Sequence, residues 1–142
     1  MKKHLFQTLT AHVDGNTLLR EPQREAYAAI ADHFANSSDE REVGIVLPVG
    51  CGKSGLITIT PFAVQSLRAL VIAPGTRIAS QLHDKDFNPA NAEFFYTKCK
   101  ILDASPYPET AEIRGKTSNR GDLEEADVII TNIQQLQGTE NR

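Results

Sequence analysis

Eight consecutive residues, Leu47-Pro48-Val49-Gly50-Cys51-Gly52-Lys53-Ser54, place two glycines, a lysine and a hydroxyl side by side. A phosphate chain needs several N–H donors aimed at one place, and Gly50 and Gly52 have no Cβ to keep the backbone away from it. Lys53 can reach the outer phosphates as a point charge, and the Ser54 hydroxyl can fill one Mg²⁺ coordination position. Cys51 occupies a variable position of such a loop. The strict Gly-x4-Gly-Lys-Ser/Thr spacing is missed, because Leu47 stands where its first glycine belongs. The chemistry indicated is binding of a nucleotide phosphate with its Mg²⁺.

Such a loop works only between a buried strand and a helix, whose N-terminus adds partial positive charge. Residues 43–47 form a short apolar, β-branched run with the look of that strand, and a helix is expected over 53–67 with a kink or break at Pro61. Further buried strands are expected at 69–73, 99–102 and 128–131, and further helices at 21–34, 77–82 and 133–137. Continuous apolar strands separated by helices imply parallel pairing, so the class is α/β. Residues 1–18 show no clear period and read as a lead-in to a domain over 19–142. Residues 104–120, rich in Pro, Gly, Ser, Thr and charge, read as a long irregular loop.

A chain of 142 residues has room for one domain or less, and 40% hydrophobic with 23% charged residues excludes disordered and low-complexity classes. Fifteen basic against eighteen acidic side chains give a net charge of −3, so nucleic-acid binding would rest on a few placed groups and not on the overall field. No run of about 18 apolar residues suggests a membrane helix. Two separated cysteines, Cys51 and Cys99, give neither a disulfide framework nor a zinc spacing. A soluble, cytoplasmic protein is expected.

The chain resembles the superfamily 2 DEAD/DEAH-box helicases, in the branch that includes the restriction-enzyme motor subunits. Residues 47–54 are similar to that family's motif I, with Val49 and Ser54 as departures. Leu19-Arg20-Glu21-Pro22-Gln23 resembles the element whose glutamine reads adenine. Val71-Ile72-Ala73-Pro74-Gly75-Thr76-Arg77 resembles motif Ia, and residues 127–136 resemble motif Ib. The resemblance implies a P-loop NTPase (RecA-like) parallel sheet with flanking helices, incomplete as a first RecA-like domain. It implies ATP and Mg²⁺ as cofactors, with Gln23, Gly50, Cys51, Gly52, Lys53 and Ser54 at the nucleotide. It implies nucleic acid, DNA first, as a partner at Pro74, Gly75, Thr76, Arg77, Thr131, Asn132 and Gln135, together with the remainder of a helicase motor.

No strand exit carries the Asp-Glu pair that such helicases use in hydrolysis, and no second domain follows, so activity of the chain alone is not expected. The acids Asp122, Glu124, Glu125 and Asp127 read as a solvated helix face or loop. One alternative is a non-hydrolysing nucleotide-binding regulator or inert fragment. Another is a small P-loop kinase or ATPase with Asp103 on the metal. His4, His12, His33 and His83 share no ligand spacing, and Phe94, Phe95 and Tyr96 read as core.

Overall fold

The computed structural model describes residues 4–36, 39–113 and 120–137. Helix α1 (Leu5–Thr8) leads into α2 (Glu21–Asn36) and α3 (Lys53–Val64), followed by β1 (Ala69–Ala73) and α4 (Thr76–Gln81), which runs on as a π-helical turn over Leu82–Asp86. After them come α5 (Phe95–Lys98), β2 (Thr110–Glu112), α6 (Arg120–Glu125), β3 (Val128–Asn132) and α7 (Ile133–Gln137). Among the described residues, no helix is long and apolar enough to cross a membrane.

The three strands form one parallel sheet in the order β1-β3-β2, with Leu70 opposite Ile129 and Ala111 also opposite Ile129. The parallel α/β expectation therefore holds. Side chains alternate across a strand, so Val71, Ile130 and Glu112 share one face. That face is covered by α4, whose Ser80 hydroxyl donates to Glu112 Oε2 at 2.9 Å. On the other face Leu70 and Ile72 remain 57% and 48% exposed.

Helix α2 starts with Pro22 in its first turn, where a missing N–H costs nothing, and buries Gln23, Ala26 and Ile30. It packs along α3, which buries Leu56, Thr58, Ile59 and Phe62. Pro61 does not break α3. The helix runs to Val64, three residues short of expectation, and stops where Gln65 turns left-handed at φ 51°. The Thr58 and Thr60 hydroxyls donate back to the carbonyls of Gly55 and Leu56, at 2.7 and 2.6 Å.

Tyr96 lies at the centre of the core, edge-on to Phe62, Phe87 and Phe94, with its hydroxyl donating to the Thr58 carbonyl at 2.6 Å. The aromatic trio Phe94, Phe95 and Tyr96 is thus core, as expected. Residues 4–18 contribute to the same core: Phe6 packs edge-on to Phe62, and the buried Asn16 amide donates to the carbonyls of His12 and Cys99, both at 2.8 Å.

Two strand expectations and one loop expectation need correction. Residues 43–47 form no ladder; Val46 is 93% exposed and only Leu47 is buried. An apolar run becomes a strand only when another strand takes its N–H and C=O groups, and no described strand does so here. Residues 99–102 are not a strand either. Lys100 turns left-handed at φ 53°, and the N–H groups of Ile101 and Leu102 both donate to the Tyr96 carbonyl, closing α5. Conversely, β2 forms inside the segment expected to be irregular, because β3 offers Thr110 to Glu112 a free edge. Residues 114–119 of that segment lie outside the described residues.

Candidate functional site

The loop at 48–52 is a tight turn closed by the Cys51 N–H donating to the Pro48 carbonyl at 3.1 Å. Gly50 and Gly52 have φ of 84° and 86°, left-handed values that any other residue adopts only with strain. Gly52 is the N-cap of the 12-residue α3, and its carbonyl accepts the first helical hydrogen bond, from the Leu56 N–H at 3.1 Å. The loop therefore delivers the chain to the helix with unpaired N–H groups leading. Lys53 and Ser54 are exposed on the first turn, and neither makes a side-chain hydrogen bond or ion pair among the described residues. Val49, at the tip, is 94% exposed.

Gln23 stands directly behind this loop and is 4% exposed. Its Oε1 accepts the Arg20 N–H at 2.8 Å, the half of a capping box that an N3 glutamine supplies, while the Gln23 N–H donates to the Arg20 carbonyl at 3.0 Å and closes the first turn of α2. Its Nε2 donates to the Gly52 carbonyl at 2.9 Å, across 29 residues of chain.

At the sheet, the C-terminal ends of β1 and β3 form a second constellation. Pro74, Thr76 and Arg77 are exposed, Gly75 is half-buried, and Gln135 is half-buried on α7. Thr131 and Asn132 are buried, so their side chains are inside the fold. Asn132 caps α7, its Oδ1 accepting the Gln135 N–H at 2.9 Å, and its Nδ2 donates to Thr76 Oγ1 at 3.4 Å. Gln134 Nε2 reaches the Pro74 carbonyl at 3.4 Å. The two strand-end loops are tied to each other through these contacts.

Other singled-out residues fall elsewhere. Asp103 is exposed on a bend after Leu102, not at the end of a strand. Glu124 and Glu125 are exposed on α6, whereas Asp127 is buried and its Oδ2 accepts the Glu109 N–H at 2.9 Å, an inside role that its acidic neighbours disguised. His83, without ligand spacing along the chain, is brought by the fold to 2.8 Å from Asp84 Oδ1 and 3.7 Å from Glu112 Oε1. With Ser80 on the other Glu112 oxygen, this group links the end of α4 to β2. Burial pushes the Cys99 thiol upward, away from thiolate character, with Lys98 opposing the shift.

A family model described as type III restriction enzyme, res subunit, matches residues 16–142. No curated protein and no solved structure matches the chain. The match spans both the glycine loop and the paired strand ends, together with Gln23. The chain belongs to the family of type III restriction enzyme res subunits, within the helicase-like superfamily 2.

Proposed function

We propose that this chain is an ATP-binding portion of an ATP-dependent, nucleic-acid-directed helicase or translocase, with DNA as the favoured substrate. One observation carries the reading. A loop with two left-handed glycines opens a 12-residue helix whose first two side chains, Lys53 and Ser54, stand exposed without partners among the described residues. These residues fit a nucleotide. The backbone around Gly50 is open, with nothing within 4 Å of where a Cβ would stand, and the donors are unpaired N–H groups, an ammonium and a hydroxyl. Gly50, Cys51 and Gly52 would surround the phosphates with backbone, Lys53 would sit against the outer phosphates, and Ser54 would ligate the Mg²⁺ that travels with ATP.

Nucleic acid is proposed to lie over the ends of β1 and β3. Thr76 and Arg77, with backbone at Pro74 and Gly75 and the side chain of Gln135, would take its sugar-phosphate backbone. Thr131 and Asn132 act from below, where Asn132 holds Thr76 and α7 in register. Contacts of this kind fix position along a strand without reading sequence.

The test is calorimetric titration of Mg²⁺-ATP into the chain and into Lys53→Ala. Because Lys53 is exposed and has no partner among the described residues, the variant is expected to melt with the parent chain and to lose ATP affinity by about 100-fold or more, the order of two charge-assisted hydrogen bonds. Equal affinities would remove the proposal. Phosphate release in the same samples is expected at background, because no described strand ends in an Asp-Glu pair.

A further inference from the structure

We infer that Gln23 is a positioning residue for the glycine loop: its side-chain amide fixes the peptide between Gly52 and Lys53, so that the Lys53 N–H is aimed outward at a bound phosphate. This rests on the phosphate-binding reading above and assigns the residue to the phosphates instead of the base. A carbonyl oxygen has two lone pairs, and at Gly52 both are taken, by Leu56 N–H at 3.1 Å and by Gln23 Nε2 at 2.9 Å. With its carbonyl held from two directions, the peptide plane cannot turn. The peptide is planar and trans, which points the Lys53 N–H away from that carbonyl. It leaves through the open end of α3, as one of the helix's unpaired donors.

Gln23 is itself held. It is 4% exposed, and its Oε1 is occupied by the Arg20 N–H at 2.8 Å. The fit to Gly52 is close enough that a Cβ there would stand 2.1 Å from Nε2. Glycine at 52 and glutamine at 23 therefore form one device: the missing side chain admits the amide, and the amide fixes the backbone left free by the missing side chain.

The experiment measures ATP, GTP and base-free tripolyphosphate binding to the chain, to Gln23→Ala and to Gln23→Glu, with Leu56 amide hydrogen exchange in the ligand-free proteins. A carboxylate at 23 keeps the acceptor for the Arg20 N–H but sets an oxygen against the Gly52 carbonyl, so the helix start survives and the loop contact is lost. Both variants are expected to weaken all three ligands by a common factor of about tenfold, the scale of one hydrogen bond. Both are expected to speed Leu56 exchange, because its N–H shares the released carbonyl. A loss confined to ATP would overturn the inference in favour of adenine recognition. Normal binding and exchange in Gln23→Glu would reduce Gln23 to a helix cap. If the parent chain binds none of the ligands, the phosphate reading fails, and unchanged Leu56 exchange in both variants would show separately that the peptide is not held by Gln23.

Discussion

The segment that enters the glycine loop and the helix that leaves it are similarly apolar, yet the fold treats them in opposite ways. On the leaving side, α3 buries Leu56, Ile59 and Phe62 against α2 and the aromatic core, and Gly52 is held from two directions. On the entering side, Val43, Ile45 and Val46 are exposed and no described strand pairs with them. A cleft of about 610 Å³ separates Val43 and Ile45 from α2 and α3, lined on the helix side by Ile30, Phe34, Leu56, Ile57 and Val64. Apolar content was the same signal on both sides. What differs is whether the backbone has partners: a helix supplies its own, and a strand must borrow them. The loop is therefore held through its backbone at the downstream end and by the buried Leu47 side chain, without strand pairing, at the upstream end, and a phosphate-binding role draws on the downstream end, where Lys53 and Ser54 begin.

The sharpest way to break this contrast is at the glycines. Gly52→Ala meets Gln23 at 2.1 Å and carries φ 86°, so strain and overpacking together are expected to cost about 3 kcal/mol. Gly50→Ala faces open space and carries only the strain of φ 84°, about 1 kcal/mol. Urea denaturation of the two variants measures the difference. Equal losses would mean that the downstream end is no more tightly held than the loop's tip.

A smaller effect is expected in the core that anchors α3. Tyr96→Phe removes the hydroxyl that donates to the Thr58 carbonyl, a loss of about 1 to 2 kcal/mol at neutral pH. Burial, with the nearby Asp127 charge adding to it, holds the Tyr96 phenol well above its ordinary value. Burial raises Tyr27 and Cys99 as well. The native state thus favours the protonated forms. Their contribution is complete below the unfolded values, about pH 8.5 for the thiol and 10 for the phenols. It is lost as pH rises through the folded ones. Melting temperature should accordingly fall on the alkaline side, and less steeply in Tyr96→Phe. An identical alkaline slope in the two proteins would show that Tyr96 does not carry this dependence.

These outcomes bear on what the sequence can disclose. Helix α2 was legible because its three-and-four period is satisfied within the helix, and strands β1 and β3 were legible because their short β-branched runs do find each other as neighbours in the sheet. Residues 43–47 carry the same strand signature and fail, because the signature reports burial between neighbours and the neighbours are not local. Residues 99–102 fail for another reason: Ile101 and Leu102 are buried by closing α5, a use of apolar residues with no period of its own. Strand β2, Thr-Ala-Glu, was hidden by its polarity and exists because β3 offers an edge. In the candidate site the residue types at 50–54 were readable, and so was the interest of Gln23. Its contact with Gly52 was not, since nothing along the chain indicates which carbonyl a buried amide will find.

The smallest effect is expected where the entering segment meets solvent. Val46 and Val49 are 93% and 94% exposed and make no packing contact that a methyl-to-hydroxyl exchange would disturb. Val46→Thr and Val49→Thr should therefore change unfolding free energy by less than about 0.5 kcal/mol, the range of exposed substitutions away from special features. A buried valine loses far more on the same exchange, because its new hydroxyl must find a partner or remain unsatisfied. The two positions differ in what they would report about the contrast. Val49 sits on the turn itself, so indifference there says that the tip is open, as a loop wrapping a ligand requires. Val46 sits on the entering segment, so a loss of about 1 kcal/mol or more at that position alone, measured by urea denaturation, would mean the segment is packed in solution. That result would make the upstream end of the loop as well supported as the downstream one and dissolve the contrast between them.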